Sequence, residues 1–470
     1  SDPVKISRLR IRNTSGRRRR LRATAYVEWV LGTTRITSRT LIVTRRDDST
    51  GAIFANNPWA AAFGSRTAFS DLGAEVSSWT ADRTAFLGRN GSEAHPEALL
   101  SEELLSAAAG GGLDACAVQQ REFELEPGGE IELVWLLGQA ADDKTADELI
   151  ERYRKADLDD VLDEVRRAWR RRLGAVQVKT PDRAMDIMLN GWLLYQALSC
   201  RIWARTAFYQ ASGAYGFRDQ LQDGMALTFA EPSETRAHLL RVAGRQFPEG
   251  DVQHWWLPHS GQGVRTKISD DRVWLAYGVA LYVERSGDAA LLDEVLPFLE
   301  GPRLGANEHD SFFQPQTSDE KATVYQHCAL ALDQALKLLG QHGLPLMGTG
   351  DWNDGMNRVG EGGKGESVWL GWLTLRTIDM FAPIAATREP ARAEAWHEAA
   401  HHLREAIERE AWDGEWYRRA SYDDGTWLGS VDSDACKIDA IAQSWAVLSR
   451  HAVKDRAAQA MKSLDRELIL

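Results

Sequence analysis

EIELVWLLGQA (Glu130–Ala140) gives way within a few residues to KTADELIERYRKADLDDVLDEVRRAWRRRL (Lys144–Leu173). The first stretch has period two and is rich in β-branched and aromatic residues, which marks a strand. In the second, Leu149, Ile150, Tyr153, Leu158, Val161, Leu162, Val165 and Trp169 recur at helical spacing among charged residues. The chain changes secondary-structure class here. Upstream, Ile6–Ile11, Ala23–Leu31 and Thr40–Thr44 repeat the strand pattern, and Asp47–Gly51 and Pro127–Gly129 are turn signals between strands. Residues 1–140 are therefore expected to form an antiparallel β-sandwich and 141–178 a helical linker.

From 179 to 470 the signal is helical. Thr180-Pro181-Asp182, Pro232-Ser233 and Ser269-Asp270-Asp271 are helix starts. Further helices are expected at 289–299, 320–340, 366–386, 390–411, 437–450 and 455–468. Loops dense in Gly, Trp, His and Asp lie between them at 210–224, 247–268, 343–364 and 413–435. Helix pairs with such loops at one end suggest an (α/α)6-type helical barrel, so the fold class is α+β and multidomain. A chain of 470 residues is also too long for one ordinary core. The start at Ser1-Asp2-Pro3, without methionine, and the uncapped end after Ala457–Leu470 read as cuts from a longer chain whose barrel continues.

A net charge of −12 argues against nucleic acid as a partner. The basic run Arg17–Arg20 follows the turn signal Asn13–Gly16, so it reads as a charged strand start beside a hairpin turn. No apolar run reaches the roughly 18 residues of a membrane helix. Cys116, Cys200, Cys328 and Cys436 are too scattered for a metal or redox pair, which suits a reduced, cytoplasmic protein. The compositional outlier is 18 tryptophans. Trp255, Trp256, Trp352, Trp369, Trp372 and Trp427 lie in glycine-rich or polar stretches, which favours sugar-stacking platforms over core filling.

The chemistry concentrates in Gly348-Thr349-Gly350-Asp351-Trp352-Asn353-Asp354-Gly355-Met356-Asn357. Glycines admit tight turns, and a carboxylic acid beside an aromatic ring can protonate the leaving oxygen of a stacked sugar. The competing reading is an Asx-rich capping loop. Arg218-Asp219 is either a structural ion pair or a sugar-binding pair. Asp270 and Asp271 follow the Trp255-Trp256 loop, and Glu366-Ser367 stands at a helix start where capping competes with binding.

GFRDQLQD (216–223), GDVQHWWLP, GVRT with SDD, GTGDWNDGMN and ESVWLGW, in that order, resemble glycoside hydrolase family 94, the inverting phosphorylases of β-linked sugars. Within it they resemble the phosphorylase-like C-terminal region of bacterial cyclic β-1,2-glucan synthases. The resemblance implies phosphorolysis of β-1,2-glucan with release of α-glucose 1-phosphate, and so control of glucan length. It implies Asp354 as general acid, and Trp352, Arg218 and Asp219 in the adjoining sugar subsite. Trp255, Trp256, Asp270, Asp271 and Glu366 complete the expected substrate-binding set. Within the motif, spacing alone leaves Asp351 as a rival acid. No cofactor or metal is expected, only inorganic phosphate as co-substrate. The family's phosphate-site histidine and Thr-Gly pair fall beyond Leu470. An arginine found in some branches is replaced by Gln210-Ala211-Ser212-Gly213. Implied partners are a β-1,2-linked gluco-oligosaccharide, phosphate and the other domains of a membrane-anchored parent, with a homodimer left open. The alternatives are an inverting β-glucan hydrolase, which needs a second carboxylate about 6.5–9.5 Å from the first, and a non-catalytic glucan-binding module.

Overall fold

The computed structural model describes residues 2–101, 103–205 and 213–469. The chain forms two compact units, Ser1–Arg167 and Ala168–Leu470.

The first unit is built from eight named strands: β1 (Val4–Arg12), β2 (Arg19–Glu28), β3 (Val43–Arg46), β4 (Ile53–Asn56), β5 (Thr67–Asp71), β6 (Ser78–Asp82), β7 (Ala115–Leu125) and β8 (Glu130–Ala140). They form two antiparallel sheets, ordered β1-β8-β5-β4-β3 and β2-β7-β6. The hairpin expected beside the basic run is absent, because β1 and β2 belong to different sheets. Asn13 makes the crossing. Its N–H donates to Gly129 O at 2.9 Å, its carbonyl accepts from Gly128 N at 2.8 Å, and its amide donates to Leu125 O at 2.9 Å. The β1–β2 and β7–β8 connections are thereby tied side by side. The arginines face acids on the paired strand: Arg20 and Arg22 meet Glu122, and Arg18 meets Glu124. These contacts are sheet pairing, and they use the basic run internally.

Two helices follow, α1 (Asp143–Lys155) and α2 (Leu158–Leu173). Asp142 starts α1 by accepting from Thr145 N at 2.8 Å. Its apolar stripe, Ala146, Leu149 and Ile150, is buried with Phe54, Phe69 and Leu136 of the first sheet. Burying each large side chain contributes about 2 kcal/mol. The change of period at Ala140 is thus the point where a strand ends and a helix packs back on its own sheet.

The second unit is helical: a segment at 183–203, then α3 (Phe217–Ala226), α4 (Pro232–Ala243), α5 (Asp271–Ser286), α6 (Val324–Ala335), α7 (Val368–Ala386), α8 (Pro390–Ala406), α9 (Ala440–Ser449) and α10 (Lys454–Leu468). α5 packs against α3, α4, α6 and α7, while α7 packs against α8 and α9, as in adjacent helical hairpins of an α/α barrel. α7 buries 13 of its 19 residues, so most of its surface faces the interior.

Two expected helices are corrected. Residues 289–299 form one 3-10 turn (Ala289–Asp293) and then a strand, Val295–Glu300, paired antiparallel with Gln316–Thr323. Pro297 cannot donate within a helix but is tolerated at the bulge between Pro297 and Leu299. The helix expected from 320 starts only at Val324, because Thr323 and Gln326 form a capping box. β-structure over Gln253–Trp256 and Gly263–Thr266 pairs with Tyr215–Gly216 and Asp310–Phe313 to make a small sheet beside the helices.

Candidate active site

The segment 348–357 is fixed to the start of α5. Gly348 has φ +60°, and a Cβ there would lie 2.1 Å from the Lys267 carbonyl oxygen. Only glycine fits. Ser269 donates to the Gly350 carbonyl from its N–H at 3.0 Å and from its hydroxyl at 3.1 Å. Asn353 caps a 3-10 turn, Asp354–Met356, by accepting from Gly355 N at 3.0 Å. The expected Asx cap is present, and it carries Asp354 on its first residue.

The two carboxylates of the motif have different environments. Asp351 is fully buried, in an ion pair of 2.6 Å with Arg419, and accepts from the Ser367 hydroxyl at 2.6 Å. The Asp354 side chain is 63% exposed and is paired on one side with Arg218. Exposure leaves Asp354 able to meet a ligand; pairing leaves Asp351 none of that freedom.

Arg218, on the first turn of α3, is the hub. Its Nη1 donates to Asp270 Oδ1 at 2.9 Å and to the Asp351 carbonyl at 2.6 Å, and its Nη2 donates to Asp354. Burial opposes the charge of Arg218, but the surrounding acids, Asp270 first, outweigh it and raise its pKa. Asp270 is buried and also accepts from Trp274 Nε1 at 2.8 Å. Burial pushes its carboxyl up to about 7 against the pull of Arg218. Asp271 is paired with His254 at 2.9 Å. Burial disfavours the imidazolium, yet Asp271 wins and the His254 pKa is raised. Asp219 is raised, chiefly by burial and against the charge of Arg218. On the same helix burial lifts Asp223 to about 6 despite its pairing with Arg201.

Trp352 is 45% exposed, and its Nε1 donates to Gln222 Oε1 at 3.1 Å. α3 therefore presents Arg218 and Gln222 toward the same loop.

Other expected residues lie elsewhere. Trp256 is fully buried, with Tyr215 at 5.5 Å and Arg245 at 5.2 Å from its ring. Trp369 and Trp372 are buried in the core of the helical unit. These three fill the interior and offer no open face, which corrects the expectation of stacking platforms. Trp255 is half-buried against Phe312, and Trp427 lies between His342 and Arg418. Glu366 is fully buried; it accepts from His342 N at 3.0 Å and Leu344 N at 3.1 Å, pairs with the His342 ring, and so closes a turn. Ser367 caps α7 by accepting from Leu370 N at 3.1 Å. Gln210, Ala211 and Ser212 lie outside the described residues. Arg419, Gln222 and His254 join the cluster without having been marked in the sequence as site residues. Among the described residues no group of three or more His, Cys, Asp or Glu side chains is arranged to hold a metal. Likewise no helix among them is long and apolar enough to cross a membrane.

Both units have counterparts among known proteins. The family model "Glycosyl hydrolase 94, supersandwich domain" matches residues 1–156, and "Glycosyl hydrolase 94 superfamily, catalytic domain" matches residues 168–470. The chain is 45% identical over 468 residues to the cyclic beta-(1,2)-glucan synthase NdvB of Rhizobium meliloti (strain 1021), covering 99% of this chain and 16% of that protein. It is 28% identical over 422 residues to the N,N'-diacetylchitobiose phosphorylase of Vibrio furnissii, covering 83% of this chain and 50% of that one. It thus spans half or less of these relatives' lengths. In fold it is similar to a bacterial glucoamylase solved with acarbose, with a TM-score of 0.51 and 9% identity over 81% of this chain and 51% of that one. With both of its units matched in order, the chain belongs to the glycosyl hydrolase 94 superfamily.

Proposed function

We propose that this chain carries the inverting phosphorolysis of β-1,2-linked glucan. The observation that carries the reading is the contrast within the cluster: Asp354 is exposed, whereas Asp351, Asp270 and Asp271 are buried and paired. Asp354 donates its proton to the glycosidic oxygen as that oxygen leaves the anomeric carbon. A phosphate oxygen attacks the same carbon from the opposite face. The C–O bond to the glucan breaks, a C–O bond to phosphate forms, and the products are α-glucose 1-phosphate and a glucan one residue shorter. Phosphate acts as nucleophile and needs no carboxylate base, which a second free acid would supply to water in a hydrolase. Trp352 is the exposed aromatic face of the subsite, with Arg218 and Asp219 beside it.

The β-1,2 linkage is supported by the likeness to a cyclic β-1,2-glucan synthase, and phosphate dependence by the likeness to a phosphorylase. In this reading the domain works in the cytoplasm within a membrane-anchored synthase and trims linear glucan before cyclisation. A second reading, inverting hydrolysis, draws on Asp219, a second carboxylate next to Arg218 whose pKa burial raises. Incubation with β-1,2-gluco-oligosaccharides, with and without phosphate, decides between them. Phosphate-dependent α-glucose 1-phosphate is expected. Phosphate-independent glucose or sophorose would overturn the phosphorylase reading.

A further inference from the structure

We infer that Asp351 and Arg419 form a positioning pair that aims the Asp354 carboxylate; the inference rests on Asp354 being the proton donor. Asp351 has its acceptors committed. Oδ1 takes Arg419 Nη2 at 2.6 Å and Asn353 N at 3.1 Å, Oδ2 takes Ser367 Oγ at 2.6 Å, and the main-chain carbonyl takes Arg218 Nη1 at 2.6 Å. Only Trp352 and Asn353 separate it from Asp354. A shift of Asp351 therefore moves the short loop that carries Asp354.

Arg419 is itself immobilised. It is 1% exposed, its Nη1 donates to Ser367 Oγ at 3.3 Å, and its Nε stands 3.3 Å from Asp439 Oδ2. Its N–H donates to Leu428 O at 2.8 Å and its carbonyl accepts from Val368 N at 3.2 Å. Asp439 caps α9 and Ser367 caps α7. The pair thus refers the acid loop to two helix starts and to the strand pairing around Leu428. Arg218 meanwhile bonds both the Asp351 carbonyl and the Asp354 carboxylate, so one guanidinium holds anchor and donor at a set separation. Proton donation tolerates little error: a displacement of about 1 Å can cost roughly a hundredfold in rate.

The test compares the full parent protein that carries this chain with its Asp351→Asn, Arg419→Lys and Ser367→Ala variants. It reads backbone hydrogen exchange across 348–357 and turnover of β-1,2-gluco-oligosaccharide with phosphate. Asp351→Asn and Arg419→Lys are expected to speed exchange at Asn353 by at least about tenfold, leaving α5 and α8 protected. They should lower kcat by about a hundredfold with little change in KM, and displace the alkaline limb of the pH–rate profile. Ser367→Ala, which keeps the ion pair, should move the same readouts less; it also guards against a variant that fails to fold. Wild-type exchange and kcat in Arg419→Lys overturn the inference, as does protection lost evenly over the whole unit. The exchange arm reads independently of turnover. Asp354→Asn separates the two readings. If it stays active, the donor assignment fails. If it is inactive while Asp351→Asn behaves as wild type, the positioning pair fails alone.

Discussion

The indole N–H of Trp352 is bound to Oε1 of Gln222 at 3.1 Å, across 130 residues of sequence. This bond fixes the angle of a ring that is otherwise open to solvent. Truncating Gln222 to Ala frees the ring without touching any carboxylate. The lost bond is worth about 1 kcal/mol, so KM for the gluco-oligosaccharide is expected to rise roughly fivefold with kcat little changed. Steady-state kinetics at saturating phosphate checks this, and an unchanged KM would remove Trp352 from the subsite.

Asp354→Asn keeps the size and the loop but cannot donate the proton. A fall of about a hundred- to ten-thousandfold in kcat is expected. Initial rates measured by release of α-glucose 1-phosphate give the answer. Activity within threefold of wild type would dismiss Asp354 as the acid.

His254 gives a pH signature. Its pKa is raised, burial working against the imidazolium and Asp271 for it. A group whose pKa is higher folded than unfolded adds stability that is complete below the unfolded value, about 6.5. That contribution is lost as pH rises through the folded value. Urea unfolding at pH 5.5 and 8.5 is expected to show this term as a loss at the higher pH, diminished in His254→Gln. An equal pH difference in both proteins would contradict the pairing.

Gly348→Ala places a Cβ against the Lys267 carbonyl in a backbone with φ +60°. A cost of about 2 kcal/mol or more is expected from strain alone. Because the strain falls in the acid loop, turnover should fall further than thermal stability suggests. A variant with wild-type Tm and wild-type kcat would show that the loop does not need this turn.

Much of the architecture was legible because it rests on local periodicity. The strands Ile6–Ile11 and Glu130–Leu136 and the helix starts at Pro232 and Ser269 carry their patterns in adjacent residues. The strand Val295–Glu300 did not, since an apolar run of five fits either class and only its partner, Gln316–Thr323, decides. Thr323-x-x-Gln326 was a readable start signal for α6 that the apolar pattern overrode. In the site, the loop 348–357 announced itself by composition. Arg419 did not, because its role depends on meeting Asp351 across 68 positions. Tryptophan number misled for a physical reason: indole fills large gaps between helices, and Trp256, Trp369 and Trp372 are used that way.

The tie at Asn13 bears on how the protein is made. β1 must wait for β8, and β2 for β7, so β2 finds its partner only after the chain has reached Leu125 and β1 only after it has reached Ala140. Pairing over such separations is slow, since the loop must close before contacts reward it. During that interval the unpaired edges of β1 and β2 would be exposed on the nascent chain. Their arginines then serve a second end, keeping two waiting strands charged and apart from others of their kind.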